Sequence, residues 1–286
     1  MRTAIITDSN SGIFQEEAEN LGIFSVPMPV FMQNFFYYEG INLDYETFLR
    51  ALTKGERLST SQPSPGDLMS MWEMAFKEGY EEILYLPMSS SLSGSYNTAC
   101  LLAEDYPGRV YVADVRRISV TQRHAVLDAL ALSQQGLHAK EIKERLEENA
   151  LRSIIFVGVS SLDYLKRGGR ITPAAAAMAS VLNIRPLLVI RGNQVDAFEK
   201  IRGQKRCAKR LIQLMQEHTE QLKKEGFRVR VGAAGSFLTE ADRTQWYQQV
   251  KAAFPEDDVF CDPLTCSISC HVGPNAFGMG ISAVIH

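Results

Sequence analysis

Short apolar runs alternate with longer amphipathic stretches through the first half of the chain. TAIIT at 3–7, EEILYLP at 81–87 and RVYVADV at 109–115 have the length and apolar content of buried strands. Between them Leu68, Trp72 and Ala75 or Phe76 recur at helical spacing over 66–78, and further helices are expected over about 119–134 and 139–149. FSVPMPVF at 24–31 is strand-like, but its two prolines suit an edge or an irregular extended segment. Ser64, Pro65 and Asp67 form a helix start, with a hydroxyl cap, proline at the first helical position and an acid three residues after the cap. Repeated strand–helix alternation implies a parallel sheet with helices on both faces.

Near residue 150 the pattern changes. SIIFVGVS at 153–160 is another strand, and LLVIRGNQVDAF at 187–198 reads as a hairpin turning at Gly192-Asn193. A helix over about 203–224, a strand at 227–235 and a helix over 239–253 follow. CSISCHV at 266–272 alternates with a period of two, so a strand is expected there with Ser267, Ser269 and His271 on one face. The predicted fold is α/β with two domains. An N-terminal, mostly parallel sheet with flanking helices spans 1–150, and a C-terminal mixed α/β domain spans 151–286.

Composition narrows the function classes. At 286 residues the chain can bury a full core, and its 45% hydrophobic and 22% charged content is ordinary for a globular protein. Thirty basic against 33 acidic side chains leave a net charge of −3, which gives no general pull toward nucleic acid or anionic membrane. The opening MRTAIITDSNSG lacks the long apolar core of a secretion signal. The most apolar stretch, 171–190, is interrupted by Pro173, Asn183, Arg185 and Pro186, so no transmembrane segment is expected and the predicted location is cytoplasmic. Five cysteines without a secretion signal argue against a disulfide framework. Cys261, Cys266, Cys270 and His271 lack C-x2-C spacing, so buried thiols are expected there rather than a metal site.

Polar residues that no local element needs collect in four places. STSQPSPGD holds Thr60, Ser61 and Gln62 beyond its helix start. PMSSSLSGSY at 87–96 follows a core strand directly and opens a helix, in the position where parallel sheets bind ligands. There Ser91 suffices as the N-cap, leaving Ser93, Gly94 and Ser95 in a first turn with free N–H groups and close backbone access. HVGPNAFGMGI begins with His271 beside a Gly-Pro turn, and LDYLKRGGRI sets Lys166, Arg167 and Arg170 around a Gly-Gly pair. The latter is either a solvated turn or a loop presenting a cation to an oxyanion.

Together with TDSNS at 7–11 and LNIRPLL at 182–188, the segments TSQPSPGD, SSSLSGSYNTA, LDYLKRGGRI and HVGPNAFG closely resemble the signatures of the DegV family of bacterial fatty-acid-binding proteins. The resemblance runs from residue 3 almost to the C-terminus. It implies a two-domain α/β carrier of one long-chain fatty acid such as palmitate, with no cofactor. It also implies that Thr60, Ser93 and His271 meet the carboxylate, and that Arg170 stands beside them. Some members hand the acid to a fatty-acid kinase, for which Arg170 and His271 would be contacts. Two departures stand out: Asp114-Val115 replaces the family's Asp-Ser, and HVGPN replaces HxGPG, with Asn275 able to take the left-handed backbone of glycine. Phe31, Phe35, Phe36 and the alanine-rich helix at 174–179 are candidates for the tunnel wall or simply for core. The alternative is a serine-dependent acyl hydrolase using Ser93 and His271, with Asp8 or Asp114 as orienter, although no G-x-S-x-G elbow is present.

Overall fold

The computed structural model describes residues 2–177 and 184–285. Met178 and Ala179 of the alanine-rich segment, and Leu182 and Asn183 of LNIRPLL, lie outside the described residues. Three sheets organise the rest. The first is wholly parallel, in the order Phe24–Val26, Thr3–Asp8, Glu82–Leu86, Val110–Val112. Every residue of its two central strands is buried, as expected of strands covered on both faces. Helices Ser119–Gln134 and Ala139–Glu148 cover one face. Helices Pro65–Lys77 and Ser95–Ala103 cover the other, around the fully buried Trp72. Ser64 caps the helix Pro65–Lys77, its Oγ accepting from the Asp67 amide at 3.1 Å. The proline-containing 24–31 stretch divides into an edge strand of this sheet and the strand Pro29–Met32 of another.

The second sheet is mixed and six-stranded, in the order Asp196–Arg202, Ile184–Ile190, Ser153–Gly158, Phe277–Ala283, Val229–Gly235, Val259–Pro263. Its first two strands form the expected hairpin, with Gly192 at φ +78°. Helices Gln204–Lys224 and Glu240–Ala253 cover its outer face. Its inner face meets helix Ser119–Gln134, which therefore packs against both sheets. That double contact accounts for a helix with no polar side: Gln122, His124 and Asp128 are buried together with its apolar residues. His124 Nδ1 and Ser282 Oγ lie 2.6 Å apart, and Asp128 pairs with Arg230.

The third sheet is small and antiparallel, in the order Phe35–Tyr38, Pro29–Met32, Ser59–Thr60. With helix Tyr45–Thr53 it forms a cluster of Val30, Met32, Phe48 and Leu52 that closes on Cys266 and Cys270. Two local expectations are corrected here. Residues 266–272 form a helix, not a strand: the Thr265 hydroxyl accepts from the Ile268 amide at 3.4 Å, and Gly273 at φ +76° ends it. Both alternating sets in this segment are buried, Ser267 and Ser269 as well as Cys266, Ile268 and Cys270, so the period of two reported no surface. The helix after the serine-rich loop starts at Ser95 with Gly94 at its cap. Ser91 instead shares a 2.8 Å hydroxyl hydrogen bond with Ser89.

Candidate functional site

A cavity of about 100 Å³ lies beneath the inner face of the mixed sheet, with about 910 Å³ of atom-free space once its open mouth is included. Ile155, Val157, Ile190, Ala234 and Met279 line it from the sheet, and Ile118 and Val120 from the start of helix Ser119–Gln134. Leu264, Ile268 and Val272 close it from the helix Cys266–Val272 and the residues before it. The apolar wall ends in a polar group made of Thr60, Ser61, Ser93, Arg170 and His271.

Thr60, Ser93, Arg170 and His271 each arrive from a different element. Thr60 ends the two-residue strand paired with Val30 in the small sheet. Ser93 lies in the loop between strand Glu82–Leu86 and helix Ser95–Ala103, at the carboxyl edge of the parallel sheet. His271 is in the last turn of helix Cys266–Val272, and Arg170 follows helix Asp163–Gly168, which Gly169 ends at φ +69°. The turn after His271 is held by Ser236, whose Oγ donates to the Gly273 carbonyl at 2.6 Å and accepts from the Ala276 amide at 2.9 Å. Asn275 takes φ +58°, the left-handed conformation expected of it.

Thr60 Oγ1 and His271 Nε2 are 2.9 Å apart across 211 residues of sequence. Burial, and then the nearby Arg170 guanidinium, lower the imidazole to about 4, so His271 is neutral at pH 7. Among the described residues lining the cavity, Arg170 thus provides the positive charge. Its Nε donates to the Leu92 carbonyl at 3.2 Å and its Nη1 to the Gly168 carbonyl. Ser93 Oγ lies 2.9 Å from Ser95 Oγ, and Ser61 Oγ donates locally to the Gln62 carbonyl at 3.1 Å. Gln62 Nε2 donates to Thr98 Oγ1 at 2.8 Å and binds the Thr60 loop to helix Ser95–Ala103. Gly94 does not line the cavity; the Gln62 side chain lies over it, 2.8 Å from where a Cβ would stand.

These residues do not assemble a Ser–His–Asp chain. The buried Asp8 carboxylate accepts from the Met88 amide at 2.8 Å, the Asn10 amide at 3.1 Å and Gln122 Nε2 at 3.0 Å. Asp114 accepts from Ser90 Oγ at 2.5 Å. Phe35 and Phe36 are 67% and 60% exposed, and neither they nor Phe31 line the cavity. Cys266 and Cys270 are buried thiols whose ionisation is opposed by burial and then by Glu39, Cys270 being pushed up to about 12.

Glu39 was not singled out by any sequence signal. It is buried behind the cavity, where its carboxylate accepts from the Ser9 and Ser267 hydroxyls at 3.2 and 3.3 Å and from the Cys266 amide. Burial pushes this acid up to about 7 against those hydrogen bonds. The single Ser267 hydroxyl proton is shared between Glu39 and Asn10 Oδ1, the latter 2.6 Å away, and the Ser267 and Asn10 side chains both line the cavity.

The family model described as "Uncharacterised protein, DegV family" matches residues 2–284. The chain belongs to the DegV family. A DegV domain-containing protein of Deinococcus radiodurans is 30% identical over 285 residues, covering 98% of both chains. Among solved structures, a DegV family protein from Thermus thermophilus, described for its fatty acid binding, superposes with a TM-score of 0.87 at 28% identity, covering 99% of this chain and 100% of that one. DegV of Bacillus subtilis, described as a fatty acid binding protein, gives 0.87 at 26% identity with 99% coverage of both. The mixed α/β architecture, with one parallel and one mixed sheet, is therefore a DegV fold.

Proposed function

We propose that the protein binds one long-chain fatty acid such as palmitate, tail in the apolar cavity and carboxylate among Thr60, Ser93 and His271 beside Arg170. The observation that carries this reading is the convergence of Thr60, Ser93, Arg170 and His271, from four chain segments, on one end of a cavity with a mostly apolar wall. The fatty-acid-binding relatives from Thermus thermophilus and Bacillus subtilis support it. Ser61 borders the head-group end, and Gly94 contributes through the space it gives Gln62. The cavity then lies where two domains meet, 1–150 and 151–286, joined near residue 150.

Energetics divide the labour. About 15 methylenes at roughly 0.8 kcal/mol each contribute on the order of 12 kcal/mol before the costs of association. Hydrogen bonds to a charged acceptor contribute about 1.5–3 kcal/mol each. The tail supplies most of the affinity, and the head-group residues select for an acid and fix its orientation. With a neutral imidazole, His271 acts as a hydrogen-bonding partner while Arg170 balances the carboxylate charge.

In this reading the protein is a carrier without catalysis of its own, and it presents its acid to a fatty-acid kinase at the surface around Arg170 and His271. Native mass spectrometry of the purified protein is expected to reveal a fatty-acid adduct, and palmitate titration of the delipidated protein a single saturable site. No adduct and no saturable binding would overturn the assignment. A chromogenic acyl ester is expected to give no turnover that Ser93→Ala abolishes; such turnover would replace the carrier with a hydrolase.

A further inference from the structure

We infer that Gly168 is a positioning residue for the head-group end: its missing side chain seats the His271 ring, and that ring holds the Thr60 hydroxyl in place. This rests on the fatty-acid reading above for its effect on affinity, but not for the placement of the ring.

The adjacent glycines of LKRGGRI have different physical jobs. Gly169 takes φ +69° to end helix Asp163–Gly168, and a Cβ on it would meet nothing within 4 Å. Its requirement is conformational. Gly168 has no positive φ, so its backbone would accept any residue. A Cβ there would stand 2.3 Å from His271 Nδ1, 3.1 Å from Cε1 and 3.4 Å from Cγ. All three are ring atoms, which cannot swing aside like the end of a flexible chain. On the other side the ring is held by Thr60 at 2.9 Å.

Gly168 also fixes the charge. Its carbonyl accepts from Arg170 Nη1, while Arg170 Nε donates to the carbonyl of Leu92, the residue before Ser93. Through one backbone position the structure thus registers His271, Arg170, Thr60 and the serine-rich loop against one another. A methyl at 168 would push the ring off the backbone, break its bond with Thr60 and move it toward solvent.

The test compares Gly168→Ala, Gly169→Ala, His271→Ala and the double variant Gly168→Ala/His271→Ala. Nitrogen-15 NMR of the His271 ring in delipidated protein reads its tautomer and titration directly. Gly168→Ala is expected to alter the ring nitrogen shifts and return the titration toward that of a free imidazole, and Gly169→Ala to leave both unchanged. Palmitate affinity should fall about tenfold in Gly168→Ala, the loss of one hydrogen bond to a charged group, and by less than about twofold when the same change is made in His271→Ala. Should Gly168→Ala fail to fold, removal of the ring in the double variant should restore cooperative unfolding. An unchanged His271 spectrum in a folded Gly168→Ala protein would overturn the inference. So would an equal affinity loss in the His271→Ala background, or misfolding that the double variant does not rescue. If the wild type bound no palmitate, the fatty-acid reading would fall, and the ring spectrum would still decide the role of Gly168.

Discussion

Replacing His271 by Asn should remove a pH dependence of stability that the fold creates by burying a neutral imidazole. The ring titrates at about 4 in the folded protein and near 6.5 in the unfolded chain, because burial and then Arg170 disfavour its charged form. Above pH 6.5 both states are neutral, and His271 adds no slope. Between 6.5 and 4 the unfolded chain takes up a proton that the folded protein refuses, so stability falls as the pH falls. Below 4 both are protonated and the loss levels off. At about 1.36 kcal/mol per pH unit across that gap, the full loss is about 3 kcal/mol, an upper value because solvent reaches part of the ring. Urea unfolding of delipidated wild type and His271→Asn at steps from pH 7.5 to 4.5 isolates this contribution. The level of the two curves differs through packing, but their difference should change by about 2–3 kcal/mol over the range. Saturating palmitate should flatten the wild-type slope, since a carboxylate beside the ring favours its protonated form. Parallel curves for wild type and variant would refute both the buried neutral imidazole and the electrostatic argument built on it.

Glu39 should give the opposite slope. Its acid titrates near 4.5 unfolded and about 7 folded, so stability falls as pH rises from 4.5 through 7, and Glu39→Gln should abolish that fall, a difference of about 3 kcal/mol at most at pH 7.5, read by the same urea series. Thr60→Val and Ser93→Ala should each weaken palmitate binding about tenfold with little change in melting temperature; binding as tight as wild type would remove that residue from the head-group site. Ala234→Leu puts three more carbons into the cavity wall, so titration with acids of graded length should show long chains losing affinity at roughly 0.8 kcal/mol per displaced methylene while short ones are spared. Equal losses at all lengths would place the tail elsewhere.

What could be read from the sequence depended on how local its cause was. The cap at Ser64, the hairpin at Gly192 and the buried strands at 3–8 and 82–86 follow from neighbours within one element, and the structure repeats them. The segment at 266–272 misled because hydrophobic period reports a solvent-facing side, and this helix has almost none. Its ends were nonetheless written in the chain: Thr265 is the N-cap, and Gly273, at the positive φ of +76° that glycine accepts, follows the last turn. Ser91 was an equally good cap by residue type, but its hydroxyl is drawn to Ser89, and the helix begins four residues later, at Ser95. The meeting of Thr60 with His271 has no local signal; family resemblance proposed them as one group, and only the folded chain measures their separation. Glu39 and the steric role of Gly168 were invisible for the same reason, since each depends on a helix more than 90 residues away in sequence.

The residues proposed to meet the head group share a property that bears on selectivity. Thr60 is bonded to His271, Ser93 to Ser95, and Arg170 to the carbonyls of Leu92 and Gly168. A carboxylate arriving there competes with bonds that already exist, so its net gain is an exchange of partners and not a set of new hydrogen bonds. An ester or alcohol of the same length loses more: it presents no charge to Arg170, while its approach still disturbs the same bonds. Acids should therefore be preferred over neutral lipids by the difference in charge-assisted bonding alone, even though both tails gain equally from the apolar wall.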